Sequence, residues 1–377
     1  MIALGEVLKL APDPHPVEPS RRYPNVGIYS FGRGLFRKPD VDSMTTSANT
    51  LYRVRAGQLV YSRLFAFEGA YGVVPLEFDG CFVSNEFPSF DIDPARAHPA
   101  YVGWLFRNLE TWRALAASST GMGNRRQRIH PERIVEHRVD LPPLAEQQRI
   151  AAQLDRIAAE VVRRRAAAQV VDAELKGALR AAFERVIAGA PRVRMGDVAP
   201  LVRRPVEISA DSRYQEIGVR SFGRGLFAKP DLVGADLTWQ KLFRVESGDI
   251  VFSNIKAWEG AFAVARPEHH GKVGSHRYLT CVAEPSRASP DFIWYYLQCP
   301  EGLAQVEAAS PGSADRNRTL AQDRLGGIML PLPSMDAQHW FDALQQKAAE
   351  VRKAQAANDY DLNTVLPAML GRLFNGA

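Results

Sequence analysis

The chain has only three cysteines among its 377 residues. Cys81, Cys281 and Cys299 are too few and too scattered for a disulfide framework, and they read as reduced, buried residues. No apolar run approaches the roughly 20 residues a membrane-spanning helix needs, and the start MIALGEVLKLAPDPHP has no basic stretch followed by an apolar signal core. A soluble, cytoplasmic protein is expected. The eight histidines fall in no zinc spacing. Neither a G-x-G-x-x-G dinucleotide loop nor a G-x-x-x-x-G-K-[ST] phosphate loop is present, and no Asp/Asn/Ser-Pro-Pro-aromatic tetrapeptide of an amino-methyltransferase occurs. Asp172, Glu174 and Lys176 imitate the carboxylate pattern of a metal nuclease, yet they lie in a helical stretch and read as its solvated face. No catalytic residue, metal ligand or bound cofactor is expected in this chain.

Charge of one sign is also in short supply: 47 basic against 42 acidic residues leave +5. That balance permits a polyanionic partner without requiring one, so placement matters more than the sum. Arginines cluster at Arg21-Arg22, Arg125-Arg126-Gln127-Arg128, Arg163-Arg164-Arg165, Arg203-Arg204 and Arg316-Asn317-Arg318. Each cluster is either a solvated face or a set of phosphate contacts.

What the chain does have is itself, twice. A shift of 191 residues lays Tyr23–Val41 (YPNVGIYSFGRGLFRKPDV) on Tyr214–Leu232 (YQEIGVRSFGRGLFAKPDL) with 12 of 19 positions identical. The same gap-free shift pairs Phe67-Glu68-Gly69-Ala70 with Trp258-Glu259-Gly260-Ala261, Leu141-Pro142 with Leu332-Pro333, and Leu175, Leu179 and Phe183 with Leu366, Leu370 and Phe374. A period this long is no solenoid, whose units run about 20 to 50 residues. It is a duplicated unit of domain plus helix, and each half is long enough to bury its own core.

Each half opens with short β-rich runs, among them Gln58–Ser62, Cys81–Ser84 and Asp249–Ser253, set off by Gly-containing turns. A helix is predicted over Tyr101–Ala117, and its copy over Phe292–Leu303. The expected fold is α+β: two copies of one domain at 1–143 and 189–333, joined by two long coiled-coil helices at 144–188 and 334–377. Ile150, Leu154, Ile157, Val161, Val171 and Leu175 recur at steps of three and four, about five heptads in all. A fully helical segment of this length runs about 65 Å at 1.5 Å per residue. The second seam, Phe341, Leu344, Val351, Leu362, Leu366 and Leu373, is interrupted by Gln345, Arg352, Gln355 and Asp359, and Pro367 should kink or restart it. The two helices are each other's obvious partners, the alternative being that each packs on its own domain.

In Ser30–Phe36 and its copy Ser221–Phe227, two glycines flank Arg33 or Arg224. The loop is either a phosphate-approaching backbone with a projecting arginine or a structural turn that needs its glycines. Lys38 and Lys229 follow in the same repeated run. The stretch Ser62–Ala70 matches Ser253–Ala261 in frame but differs at Arg63/Asn254, Leu64/Ile255, Phe65/Lys256 and Phe67/Trp258, and the same contrast appears at Asn85/His276 and Glu86/Arg277. A module duplicated to read two targets should look like this, with constant scaffold and variable readers; drift on exposed loops is the other reading. Arg, Asn and Glu are among the types that read base edges in the major groove. The loops ending in Arg125-Arg126 and Arg316-Asn317-Arg318 suit a DNA backbone or serve as surface linkers.

The stretch Leu141-Pro142-Pro143-Leu144-Ala145-Glu146-Gln147-Gln148-Arg149-Ile150-Ala151 is similar to the junction of recognition domain and spacer helix in type I restriction-modification specificity subunits. Its second copy keeps Leu332-Pro333 and Gln338, and Gly312–Leu320 resembles the same family. The resemblance covers essentially the whole chain. It implies that the two domains are target recognition domains that each grip one half of a split, asymmetric double-stranded DNA site, and that the two coiled-coil helices are an antiparallel pair that sets the spacer. It also implies docking of two methyltransferase subunits and of restriction subunits. S-adenosylmethionine, ATP and Mg would then belong to those partners, and this chain would not be an enzyme. A two-headed coiled-coil adaptor for proteins, or a self-contained nuclease or methyltransferase, are the alternatives.

Overall fold

A computed structural model describes residues 1–117, 128–237, 241–312 and 318–374, with the side chains of 359–363 excepted. The chain forms two compact units, Met1–Gln169 with Gln355–Ala377, and Val170–Ala354. Both long helices therefore contribute to both units.

In the first unit a four-stranded antiparallel sheet runs in the order Leu8–Leu10, Ser89–Ile92, Leu59–Tyr61, Tyr71–Val73. Beside it lies a five-stranded sheet in the order Pro14–Pro16, Thr50–Arg53, Phe82–Val83, Tyr23–Ile28, Leu35–Val41. The strand Leu59–Tyr61 is apolar throughout because both its faces are covered, side chains alternating between them. Leu59 and Tyr61 enter the core of Leu4, Phe90, Phe106 and Trp112, while Val60 enters that of Val26, Val54 and Val83.

The second unit repeats these strands 191 residues on. Ile250–Ser253 sits between Tyr278–Cys281 and Phe262–Val264, with Ile250 and Phe252 in one core and Val251 in the other. The counterpart of the five-stranded sheet is divided into shorter pieces. Even so, the parallel pairing Asn25↔Phe82 returns as a bridge Glu216↔Val273.

The single helix predicted over Tyr101–Ala117 is two, Pro99–Leu105 and Leu109–Ala117, and the copy is Pro290–Gln298 and Pro300–Ala308. In the copy, Pro300 cannot continue a helix but starts one well. In the first unit no proline marks the break; there the Trp112 indole donates to the carbonyl of Phe106, at 2.6 Å.

The first long helix spans Leu144–Ile187 and the second Met335–Phe374. A buried glutamine anchors the start of each. Gln147 donates to the carbonyls of Arg96 (2.9 Å) and Pro142 (2.8 Å) and accepts from His98 N (2.8 Å). Gln338 donates to Arg287 (3.1 Å) and Pro333 (2.9 Å) and accepts from Ser289 N (2.9 Å). Both amides are fully buried, so the repeated Leu-Pro and Gln of the junction are one hydrogen-bonded device.

In the first unit Ile150 and Leu154 pack with Leu366, Met369, Leu370, Leu373 and Phe374 against Tyr101 and Trp104, and the Trp104 indole donates to Asp155 at 2.8 Å. Val161 is buried and Ile157 half-buried. In the second unit Leu175, Leu179 and Phe183 meet Phe341, Leu344 and Ala348. There the helices are antiparallel, since Asp172 pairs with Arg352 while Phe183 lies 5.1 Å from Phe341. Val171 and Val351 do not join this seam; they are 37% and 40% exposed, because their neighbours Asp172 and Arg352 meet by ion pair at that level. Leu362 has its side chain outside the described residues. Pro367 lies within the second helix, which continues through it instead of restarting. No helix among the described residues is long and apolar enough to cross a membrane.

Candidate nucleic-acid interface

The two most repeated motifs are each other's partners. In the first unit Phe31 N donates to the Glu68 carbonyl at 2.7 Å, Gly32 N to that of Gly69 at 3.0 Å, and Ser30 Oγ to the Glu68 carboxylate at 2.9 Å. The second unit repeats all three, with Phe222 to Glu259 (2.9 Å), Gly223 to Gly260 (3.0 Å) and Ser221 to Glu259 (3.0 Å). The loop glycines are left-handed, at φ 64° and 80° in one copy and 64° and 83° in the other, so the turn does need them. Gly69 is required for a second reason: a Cβ there would lie 2.5 Å from the Trp112 ring.

Around this shared scaffold the variable positions come together. In the first unit Arg63 and Arg128 converge on Glu86, at 3.3 Å and 3.0 Å. Phe65 is half exposed and Phe67 half-buried. In the second unit the equivalents are Asn254, Thr319 and Arg277, and the carboxylate is gone. There the Lys256 ammonium and the Arg318 guanidinium both lie against the Trp258 ring, 5.2 Å and 4.9 Å from its centre. Lys256 also pairs with Glu259 at 2.7 Å and, with Ser221, holds that carboxyl below the usual range. Asn254 Oδ1 and Arg318 Nε are buried with no hydrogen-bond partner among the described residues.

Chain re-entry is the same in both units, Ile129 N donating to the Arg63 carbonyl (3.1 Å) and Leu320 N to that of Asn254 (2.7 Å). Each arginine-bearing loop thus rejoins the fold beside one of the variable positions, Arg63 or Asn254. Arg125, Arg126, Arg316 and Asn317 themselves lie outside the described residues.

Two arginine clusters are taken up by contacts within the chain, Arg203-Arg204 inside the fold and Arg163-Arg164 on an exposed helix face. Arg204 makes a bidentate contact with buried Asp249 at 2.7 and 3.1 Å, and Arg203 donates to the carbonyls of Tyr278 and His276, holding the turn that carries exposed His276 and Arg277. Arg163 and Arg164 pair with Glu160, and Lys229 with Glu216 at 3.0 Å. Arg33, Lys38, Arg224 and Arg277, by contrast, have no carboxylate partner among the described residues. Three further residues lie near these groups, each within its own unit: Arg128, whose partner Glu86 lies 42 residues away in sequence, and the exposed Phe31 and Phe222. The run identity of Ser30–Phe36 and Ser221–Phe227 was the available signal for the two phenylalanines, but it did not show that they face outward.

No family model matches the chain, and no curated protein matches it by sequence. Solved structures do. The HsdS subunit from Thermoanaerobacter tengcongensis aligns with a TM-score of 0.58 at 20% identity, over 100% of this chain and 96% of that one. The fold is that of the type I S subunits. A chain from a structure on complex assembly and conformational transition of the type I R-M system aligns at TM-score 0.69 and 19% identity, over 98% and 96%. The type I S subunit from M. genitalium aligns at 0.51 and 12%, over 99% and 95%. An HsdS-like fold therefore accounts for the whole chain, long helices included.

Proposed function

We propose that this chain is the non-catalytic specificity subunit of a type I restriction-modification complex. Each unit reads one half of a split, asymmetric double-stranded DNA site. The long helices set the spacer and carry two methyltransferase subunits, with restriction subunits joining for cleavage. S-adenosylmethionine, ATP and Mg belong to those partners. One observation carries the reading: an HsdS-like fold holds the same hydrogen-bonded loop scaffold twice, while the residues grouped on it differ, Arg63, Glu86 and Arg128 in one unit against Asn254, Arg277 and Thr319 in the other. Unlike chemistry at equivalent positions suits unlike half-sites. The complex-assembly context of one structural neighbour supports partner subunits here too.

The test is co-expression with the methyltransferase subunit encoded in the same genome, followed by single-molecule sequencing of host DNA. The expected result is a split, asymmetric motif methylated on both strands. A stable complex that leaves no new methylation would move the reading to a two-headed protein adaptor.

A further inference from the structure

Phe31 and Phe222 are placed at a double energetic disadvantage, and in the same way in both units. Each has a left-handed backbone, at φ 64° and 62°, a conformation that crowds an L side chain and that glycine takes freely. Each also leaves its ring outside, 65% and 66% exposed. A single exposed phenylalanine is ordinary. An exposed phenylalanine fixed in a disfavoured backbone, twice, on loops whose neighbours differ, gives the fold little packing in return. The other aromatic of the run behaves differently: Phe36 stacks on Tyr29 at 4.1 Å and sits close over Gly27, as Phe227 sits over Gly218.

The loop is held rigidly in this pose. Its backbone is bonded to Glu68–Gly69 or Glu259–Gly260, its serine to the same glutamate, and Tyr29 N or Arg220 N closes it by donating to the carbonyl of Gly34 (2.9 Å) or Gly225 (3.0 Å). Two residues on from each phenylalanine is an arginine with no carboxylate partner among the described residues. Arg33 lies over the ring of Tyr29 at 4.7 Å, and Arg224 over Phe222 itself at 5.5 Å. An exposed apolar ring on a fixed loop that also carries an unneutralised guanidinium complements a base and its phosphate. It does not complement a plain apolar groove.

Resting on the DNA-recognition reading above, we infer that Phe31 and Phe222 are paired wedges that stack against, or insert between, bases of the duplex, one at each half-site. Proteins that kink DNA use phenylalanine in this way, and stacking accepts any base because every base has a π-face. That tolerance explains why these two positions are identical while the reader positions beside them are not. Arg33 and Arg224 anchor the adjoining phosphate.

Phe31→Gly and Phe222→Gly test this without undermining the fold, because glycine relieves the left-handed backbone while removing the ring. The experiment uses the complete chain assembled with its methyltransferase subunit, on duplexes carrying the methylated motif with 2-aminopurine placed at one half-site or the other. Each variant should assemble with the partner and melt at or above the wild-type temperature. Affinity for the motif should fall by about tenfold or more, with the salt slope unchanged because no ion is released by a ring. The 2-aminopurine signal that rises with wild type should be lost at the first half-site in F31G only and at the second in F222G only.

Wild-type affinity and fluorescence in both variants would overturn the proposal. So would loss of the methyltransferase subunit with DNA affinity retained, which would assign the rings to a protein partner; Phe222 does border a cleft with Trp294, Gln346 and Glu350. If the wild-type complex itself binds no duplex, the DNA-recognition reading fails and takes the wedges with it, an outcome distinct from both.

Discussion

Arg352 donates from Nε to Oδ1 of Asp172 across 2.8 Å, joining the two long helices between residues 180 apart in sequence. Lys176 and Arg352 together hold the Asp172 carboxyl below the usual carboxylate range. Both partners of the ion pair are more than a third exposed, so solvent and salt screen it. The helices are held by their apolar seam. Phe341→Ala should cost about 3–5 kcal/mol of stability, the range for a large aromatic removed from a packed core. Arg352→Ala should leave stability within the scatter of ordinary surface substitutions. Chemical denaturation of the two variants side by side checks the order.

The junction glutamines should be far less tolerant than their polarity suggests. Gln147→Leu leaves His98 N and the carbonyls of Arg96 and Pro142 without their partner inside the protein, at about 1–3 kcal/mol for each buried group left unpaired. Hydrogen exchange resolved by segment should show opening around residues 96–98 in Q147L and around 287–289 in Q338L, each confined to its own unit.

Much of this was legible in the chain. The turn residues and apolar runs mark the strands, and the 191-residue shift carries every strand of the first sheet onto the second. The helix break after Leu105 was not legible, because Leu109 stands where the copy has Pro300 and only a tertiary contact of Trp112 marks the place. Asp172 looked like a solvated face and Arg352 like an interruption, since nothing local reveals a partner that far away. Arg203 and Arg204 looked like a basic patch for the same reason: their acceptors lie on distant strands. The outward pose of Phe31 depends on hydrogen bonds to Glu68 and Gly69, which composition and spacing do not encode.

Asp342 provides a pH-dependent test. Burial pushes its carboxyl above the usual range, against the opposing hydrogen bonds from Ser289 and Gln345. In the unfolded chain this carboxyl ionises first as pH rises, so the second unit loses stability as pH climbs from the unfolded pKa through the raised folded one, and does not regain it above. Asp342→Asn removes the titration. The melting-temperature difference between D342N and wild type should favour the variant at neutral pH and shrink toward pH 4; a difference that grows on acidification would contradict the assignment.

Arg33→Ala and Arg224→Ala should weaken binding to all DNA sequences alike. Each should lower the slope of log affinity against log salt by about one, the signature of one lost phosphate contact. Filter binding of the assembled complex to specific and non-specific duplexes from 50 to 200 mM salt reads both quantities. Loss of preference at a single base position would instead make these arginines readers.

If a constant scaffold presents variable readers, transplanting the readers of one unit onto the other changes what the recipient unit reads. Residues 62–67 are replaced by 253–258, with Glu86→Arg and Arg128→Thr made together so that no member of the Arg63, Glu86 and Arg128 group is left behind. Single-molecule sequencing of DNA methylated by the assembled complex then reads the outcome. The first half-site should change, with the second half-site and the spacer as in wild type. Methylation of the original, unaltered sequence would mean that these residues are not the readers.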